Sequence, residues 1–510
     1  MLAKVHSGAV YGVDAYPVEI EVNTGGGDPQ TVIVGLPDAA VKESKDRVGT
    51  ALTNSGYDMP IGRLTVNLAP ADVRKEGPSF DLPIAVGVLA TQADVPEQAL
   101  EDCAMVGELA LSGSVRKVRG LLPIAMAMKQ AGMKRLIVPF ENADEAGVVE
   151  GIDVFPVRSL REAVMALMGG WARPHRVDMG PLTRALHEIE DDFADVKGQE
   201  TAKRAVEVAV AGGHNLLLIG PPGTGKTMLA KRIPSILPPM TVDEALEATK
   251  IHSVAGALEP HQALVGRRPF RAPHHTVSDA GLLGGGAYPM PGEVSLAHRG
   301  VLFLDELPEF HRNVLEVLRQ PMEDGAVTIA RAAAAVTFPC RFMLVAAMNP
   351  CPCGYFGDPK RECRCSPLQI QRYRSKISGP LLDRIDIQVE VPSVRYQDLA
   401  SLERGESSTA IRERVAVARG RQTERFKSAR KTHCNAGMRP RELQKYCRLP
   451  PAAQEQVKTA ITELNFSARA YDRILKVART IADLAGSDEI AEDHVYEAVQ
   501  FRTLDRQRWA

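Results

Sequence analysis

Apolar and polar positions follow three different patterns along this 510-residue chain. Up to about residue 170, short apolar runs typical of strands alternate with stretches that have helical spacing. The central part has apolar runs that end in glycine, proline or polar residues, as buried strands do. After residue 392, helical spacing prevails and strand-like runs are scarce. The pattern predicts strands at 32–34, 64–68, 136–138, 215–219, 301–304 and 342–348, and helices at 39–53, 82–92 and 121–130.

These changes of pattern predict several domains, because a chain of this length exceeds what one hydrophobic core supports. We expect an N-terminal domain with strands and helices over 1–170 and a polar linker over 171–195. An α/β core over 196–391 and a helical region over 392–510 would follow.

Composition indicates an ordinary globular protein, with 45% apolar residues, 25% charged residues and a formal net charge of −1. With so small a net charge, any nucleic-acid binding has to come from local basic patches. The sequence has no run near the ~18 consecutive apolar residues of a membrane span. Its first residues also lack the apolar block of a signal peptide, so we expect a cytoplasmic protein without a membrane partner.

The loop after the strand at 215–219 has the P-loop sequence GPPGTGKT. Its glycines let backbone N–H groups curl around a polyphosphate, Lys226 can reach the β- and γ-phosphates, and Thr227 can hold Mg²⁺. The helix that follows would direct its positive N-terminal end at the anion. We therefore expect ATP and Mg²⁺ as ligands. The nucleotide-binding residues would be Gly220, Pro221, Pro222, Gly223, Thr224, Gly225, Lys226 and Thr227.

Five polar residues then follow in a fixed order. Asp305 and Glu306 end a buried strand, where the first would fix Mg²⁺ through water and the second would polarise the attacking water. Asn349 ends the next strand and could sense the γ-phosphate. Arg384 follows a short apolar turn and Arg469 opens a helix, although either could instead form an ordinary ion pair.

This ordered series resembles the AAA+ ATPases. The resemblance implies that Asn349 is sensor 1, that Arg384 is a finger reaching a neighbouring subunit's nucleotide, and that Arg469 is sensor 2. It also implies that the helical region over 392–510 is the lid of the ATPase module.

The N-terminal domain resembles the proteolytic domain of Lon-type serine proteases, which implies an α+β fold. The matching segments are KEGPS, which ends at Ser79, and residues 107–113 and 136–142. A Lon-type site needs a lysine as the base of its serine, but the lysine position falls on Leu122, which cannot take a proton. Lys117 is the nearest substitute and lies off register by more than a helical turn. We expect a scaffold, or a platform for DNA or a partner, without peptidase activity.

About eighty residues separate Lys226 from Asp305, more than a minimal P-loop core needs between these positions. The excess forms an insert at about 241–300, with glycines typical of a flexible tip and arginines that could reach phosphates. His274 and His275 are adjacent and cannot share one helix face, as metal ligands usually do. We interpret them as packed or phosphate-contacting residues, with metal binding as the alternative.

Two basic stretches could contact a DNA backbone without reading its sequence. One lies in the insert, and the other, at 412–431, has eight basic residues and only two glutamates. A solvated helix face is the alternative for the second stretch. The candidate DNA contacts are Arg267, Arg268, Arg271, Arg421, Arg425 and Arg430.

Four of the eight cysteines form two C-x-C pairs in the loop 351–365. Four thiolates across a short loop can make a closed tetrahedral Zn²⁺ site, which leaves no position for a catalytic water. The alternative is a set of reduced thiols in a mobile loop. We favour structural zinc, with Cys351, Cys353, Cys363 and Cys365 as its ligands.

Three longer motifs, RPFRAPHHT, PGEVSLAHRGVLFLDELPEF and NPCPCG, resemble the magnesium-chelatase-like ComM/YifB family. The resemblance covers essentially the whole chain. It implies a hexameric, ATP-driven DNA helicase that promotes branch migration on single-stranded and branched DNA during natural transformation. The first alternative is a protein-remodelling motor of the metal-chelatase type. The second is an ATP-dependent protease, which Leu122 disfavours.

Overall fold

The structure is a computed structural model that describes residues 1–178, 180, 191–286, 288–331, 335–394, 404–429, 432–464 and 467–502. It contains two compact units. The first consists of Met1–Ala185 with Val242–Gly266, and the second of Leu186–Thr241 with Arg267–Ala510. Each unit is built on its own sheet, so the predicted α/β class is confirmed.

The first unit is built on a mixed seven-stranded sheet. Its strands are β1 (Leu2–Tyr11), β2 (Asp14–Gly25), β3 (Gln30–Val34), β4 (Arg63–Ala69), β5 (Cys103–Met105), β6 (Glu108–Leu109), β7 (Val115–Arg116), β8 (Arg135–Pro139) and β9 (Asp153–Val157). The strand order is β3-β4-β2-β1-β5-β8-β9, and β6 pairs separately with β7. Strand β2 is antiparallel to its two neighbours, β1 and β4. All other neighbouring strands in this sheet are parallel to each other.

Five helices of the first unit pack with this sheet. They are α1 (Ala39–Asn54), α2 (Asp81–Thr91), α3 (Leu121–Gln130), α4 (Ala143–Gly147) and α5 (Leu160–Leu167). Every residue of α2 is buried, as expected for a helix that is apolar on all sides. Gly87 allows its close approach to the sheet, since a Cβ there would lie 2.5 Å from the Val22 side chain.

The second unit is built on a parallel five-stranded sheet and two hairpins. Its strands are β10 (Leu216–Ile219), β11 (Phe270–Arg271), β12 (Gly284–Gly285), β13 (Met290–Pro291), β14 (Val301–Leu304), β15 (Ala326–Ala330), β16 (Ala335–Pro339), β17 (Met343–Met348) and β18 (Ile387–Glu390). The sheet order is β11-β14-β17-β10-β18, while β12–β13 and β15–β16 form the hairpins. All residues of β10, β14 and β17 are buried, as their apolar runs predicted.

The helices of the central region follow in chain order. They are α6 (Glu200–Gly212), α7 (Lys226–Ile236), α8 (Val242–Ala255), α9 (Asp279–Leu283), α10 (Glu293–Leu296), α11 (Arg312–Val317), α12 (Arg319–Asp324), α13 (Pro367–Arg374) and α14 (Gly379–Leu382).

Helix α8 lies within the predicted ATPase core in sequence but belongs to the first unit. Lys117 Nζ donates to the carbonyl of Leu258 at 3.0 Å, and the N–H of Gly120 donates to Ser253 O at 3.1 Å. The insert predicted at 241–300 is therefore divided, since Val242–Gly266 packs with the first unit and the chain from Arg267 onward with the second.

The C-terminal region is helical, as the pattern predicted. Its helices are α15 (Ser408–Arg425), α16 (Pro440–Tyr446), α17 (Pro451–Leu464), α18 (Ala468–Leu484) and α19 (Glu492–Gln500). A buried polar chain connects α18 to the core. His214 lies 3.2 Å from Asp386 and 2.8 Å from Thr480, and Asp386 pairs with Arg473 at 2.7 Å. Burial alone would raise the pKa of Asp386, but Arg473 and His214 hold it below its ordinary value.

Within the described ranges, none of the helices has both the length and the apolar character needed to cross a lipid bilayer.

Candidate nucleotide-binding site

The P-loop connects β10 to α7, as the sequence predicted. Gly223 and Gly225 have φ values of 77° and 84°, which an L side chain rarely adopts. Gly220 is pressed against the core, because a Cβ there would lie 2.2 Å from Val391 O. Glycine at these positions therefore gives the loop a shape that lets backbone N–H groups face an anion.

Lys226 and Thr227 occupy the first turn of α7 and contact the ends of two other strands. Lys226 Nζ donates to the carbonyls of Gly220 and Pro221 at 2.7 and 2.8 Å and to Asn349 Oδ1 at 3.2 Å. The Thr227 hydroxyl donates to Asp305 Oδ2 at 2.7 Å. The structure thus brings together the predicted P-loop, the carboxylate Asp305 that follows β14 (the Walker B pair is Asp305 and Glu306) and the predicted sensor 1 residue Asn349.

The pKa of Lys226 is lowered to about 8, because burial disfavours the ammonium more than Asp305 and Glu306 stabilise it. A bound phosphate would stabilise the same ammonium. Binding of an anion here is therefore coupled to protonation of Lys226.

These residues surround one cavity of about 430 Å³. Its wall consists of Pro222, Gly223, Thr224, Gly225, Lys226, Thr227, Met228, Asp305, Glu306, Met348 and Asn349. Oxygens of Thr227 and Asp305 are the hard ligands that Mg²⁺ prefers, and they lie side by side. The residues present fit a magnesium-bound nucleoside polyphosphate.

Glu306 lies two residues after the end of β14, with φ 53° and ψ 47°, a left-handed conformation that is uncommon for a non-glycine residue. Its N–H donates to Asp305 Oδ1 at 3.0 Å, and its side chain is 58% exposed. His275 Nδ1 lies 3.8 Å from Glu306 Oε2. The adjacent histidines were visible in the sequence, but only the folded chain places one of them at the Walker B carboxylate.

The cysteine loop packs directly on the P-loop. A Cβ on Gly354 would lie 2.6 Å from Pro222 Cδ. Arg374 donates twice to the carbonyl of Pro350, at 3.2 and 3.1 Å. The segment after Asn349 is therefore held between α13 and the phosphate-binding loop.

The four cysteines predicted as zinc ligands do converge, and their Sγ atoms all lie within 4.8 Å of one another. Cys351, Cys353 and Cys363 are separated by 3.4 to 3.7 Å. Tetrahedral zinc with Zn–S bonds of ~2.3 Å implies sulfur separations of about 3.8 Å, so the cluster fits this ion. Backbone N–H groups, foremost that of Tyr355, lower the pKa of Cys353 to about 6 and so favour its thiolate.

Arg384 and Arg469 have partners outside the P-loop. Arg384 is 7% exposed, forms an ion pair with Glu323 and donates to the carbonyl of Pro380 at 2.5 Å. Arg469 is exposed, with its guanidinium 3.7 Å from Asp383 Oδ2. Their roles as finger and sensor 2 stay predictions.

The insert arginines predicted to contact DNA are largely engaged by the protein itself. Arg268 donates to the carbonyls of Pro238 and Arg299 at 2.6 and 2.7 Å. Arg271 makes two hydrogen bonds with Glu293, at 2.6 and 2.8 Å. Their DNA contacts stay predictions, although these partners favour a packing role. Arg267 is exposed.

The second basic stretch forms much of α15, and its two candidate DNA contacts among the described residues are similarly engaged. Arg421 donates to Gly486 O at 2.7 Å and to Asp488 at 3.1 Å. Arg425 pairs with the buried Asp483, with Nη1 2.7 Å from Oδ2. DNA contacts by both also stay predictions, and Arg430 lies outside the described residues.

Comparisons with known proteins find relatives that cover nearly the whole chain. Family models of magnesium chelatase subunit ChlI match residues 20–142 and 192–399, and a model of its C-terminal part matches 405–502. The uncharacterized protein YifB of Salmonella typhimurium is 46% identical over 508 residues, which cover 99% of this chain and 98% of YifB. Competence protein ComM of Haemophilus influenzae is 45% identical over 509 residues, with the same coverage of both chains.

The chain belongs to the ComM/YifB family. The predicted resemblance to magnesium-chelatase-like AAA+ proteins is thereby confirmed. The N-terminal region of this ComM/YifB family member is also similar to Lon protease 2 of Bacillus subtilis, which is 29% identical over 124 residues. That match covers 24% of this chain and 22% of the protease.

In this ComM/YifB protein, the lysine position of a Lon-type site is part of the hydrophobic core. Leu122 is fully buried, and its N–H donates to Glu145 Oε1 at 2.9 Å. Lys117, the alternative base, donates to the carbonyl of Leu258. The sequence pattern did not single out Lys75, which is fully buried four positions before Ser79. Burial lowers the pKa of Lys75, and its Nζ donates to Val73 O at 2.7 Å.

Proposed function

We propose that this protein is an ATPase that couples hydrolysis to movement along DNA. What supports the ATPase is the set of groups around one 430 Å³ cavity, combined with membership of a magnesium-chelatase-like AAA+ family. Lys226 and the P-loop amides would hold the phosphates, and Asn349 would orient the terminal one. Glu306 would polarise the attacking water.

Thr227 and Asp305 would hold Mg²⁺, which neutralises charge that develops on the transferred phosphoryl group. Lys226 is already hydrogen-bonded to Asn349, so a phosphate bound by both would be held from the start of α7 and from the end of β17. Little covalent chemistry is left to the protein in this reaction. Positioning and electrostatic stabilisation would supply most of the rate.

The DNA part of the proposal is supported by a relative that is named a competence protein and by two adjoining hairpins of the second unit. A Cβ on Gly284, in β12, would lie 2.7 Å from the Ile329 side chain in β15. A Cβ on Gly285 would lie 3.4 Å from Arg331 Nη2. Arg331 is exposed at the end of β15, where it could contact a phosphate of any sequence.

The whole molecule would act as a ring, most simply a hexamer, in the cytoplasm. Arg384 would complete the nucleotide site of the next subunit, and Arg469 would sense the nucleotide from the lid. The ring would promote branch migration on single-stranded and branched DNA during homologous recombination in natural transformation. The N-terminal unit would be a scaffold without peptidase activity, because Leu122 fills the position of the base.

The cysteine cluster would hold one structural zinc ion. Its sulfur separations support zinc as the ion. Four cysteine ligands leave no position for a catalytic water, so the role of the ion would be structural. The ion would fix the loop that lies against Pro222.

Measurement of ATP hydrolysis with and without single-stranded and branched DNA tests the function. We expect stimulation that weakens as salt rises, because each phosphate contact releases a counterion. Glu306→Gln is the control that should bind ATP and not hydrolyse it. ATP hydrolysis that no DNA stimulates at low salt would favour the alternative, a protein-remodelling motor of the metal-chelatase type, which the ChlI family matches support.

A further inference from the structure

His275 lies at the carboxyl end of the parallel sheet, where the predicted catalytic carboxylates follow β14. Strand β11 is the parallel neighbour of β14, with Phe270 opposite Val301 and Arg271 opposite Leu302. The chain that leaves β11 therefore reaches the same edge as the chain that leaves β14. At this edge His275 Nδ1 is 3.8 Å from Glu306 Oε2.

The His275 ring is held on two sides. It packs edge-on against Phe310, with ring centroids 6.4 Å apart, and lies 4.1 Å from the His274 ring. Phe310 is itself buried. The histidine is therefore the better-fixed member of the pair, since the Glu306 side chain is 58% exposed.

The two adjacent histidines differ in what they face. His274 Nδ1 lies 2.9 Å from the Thr276 hydroxyl, so it is engaged within its own loop. His275 Nδ1 faces the Glu306 carboxylate at a distance that a small rotation of the flexible glutamate would shorten to a hydrogen bond.

We propose that His275 is a positioning residue for Glu306. Its Nδ1–H donates to Oε2 and leaves Oε1 directed at the water that attacks the γ-phosphate. A carboxylate held at one oxygen loses little further freedom when it orients the water, which lowers the barrier without changing nucleotide binding. This role rests on the proposed ATP hydrolysis.

The test compares three single variants of the full-length chain. His275→Phe keeps the ring packing against Phe310 but removes the donor, and His275→Asn keeps a donor in a smaller side chain. His274→Phe is the matched control, because it keeps an aromatic ring beside His275 and removes only an imidazole that faces Thr276. The measurements are kcat and KM for ATP, the affinity for a fluorescent ATP analogue, and thermal unfolding to show that each variant is folded.

We expect His275→Phe to lower kcat roughly tenfold, with KM and analogue affinity within about twofold of the wild type. His275→Asn should recover part of this loss, and His274→Phe should stay near the wild-type rate. A folded His275→Phe protein with wild-type kcat would overturn the role of His275 while leaving the ATPase intact. Wild-type protein that binds but does not hydrolyse ATP would instead overturn the proposed function.

Discussion

At the scale of single residues, the protonation of Lys226 is coupled to nucleotide binding. Its ammonium is held by two backbone carbonyls and Asn349, and burial lowers its pKa to about 8. A bound triphosphate would raise that pKa, so nucleotide binding takes up a proton wherever the free site is deprotonated.

The affinity for ATP should therefore fall as pH rises through 8. If only the charged form binds, the affinity drops roughly eightfold between pH 7.5 and pH 9, because the charged fraction falls from about 0.76 to about 0.09. Titration of a fluorescent ATP analogue across this range measures the effect. Lys226→Arg is the control, since a guanidinium keeps its charge and should give a flat profile. A flat wild-type profile contradicts this prediction.

At the scale of elements, the cysteine loop connects a proposed metal site to the nucleotide cavity. It begins two residues after Asn349, and Gly354 contacts Pro222. A closed four-cysteine site orders a short loop that has little apolar core of its own. Loss of the ion should therefore loosen one wall of the P-loop.

We expect about one zinc per chain in protein purified without added metal, measured by elemental analysis. Cys353→Ser should release the ion and lower ATP hydrolysis several-fold. Cys434→Ser is the matched control outside the cluster and should keep both. Protein without metal and with full ATPase activity would contradict the zinc site and show that the four cysteines are ordinary thiols.

Local patterns predicted some elements and could not predict others. The buried strands and the P-loop are contiguous in sequence, so their apolar runs and glycines identify them directly. Helix α8 could not be assigned to the first unit, because Leu258 meets Lys117 across 141 positions. The insert arginines carry visible charge, but the partner of Arg271 is Glu293, 22 positions away, and spacing alone does not reveal it.

At the scale of the whole molecule, the proposed ring makes each active site depend on two chains. Arg384 pairs with Glu323 of its own chain in this structure, so a finger role requires exchange of that partner for a neighbour's nucleotide. An arginine finger contributes a factor of about 10³–10⁵ in GTPases.

Arg384→Ala and Lys226→Ala subunits should each be inactive alone and recover part of the ATPase rate when mixed, since some interfaces then combine an intact P-loop with an intact arginine. Glu323→Gln separates the finger from the ion pair, because it removes the partner and keeps the arginine. Arg384 would be a structural residue if two results came together. Glu323→Gln would lower the ATPase rate as much as Arg384→Ala does, and mixed rings that exchange subunits would recover no activity.

The measurement that tests the central claim most directly is branch migration of a labelled DNA junction by the purified protein with ATP. We expect movement of the junction by the wild type and none by Glu306→Gln, which should still bind ATP and DNA. Junction movement by Glu306→Gln at the wild-type rate, or none by a wild-type protein that hydrolyses ATP on the same junction, would contradict an ATPase that drives DNA movement.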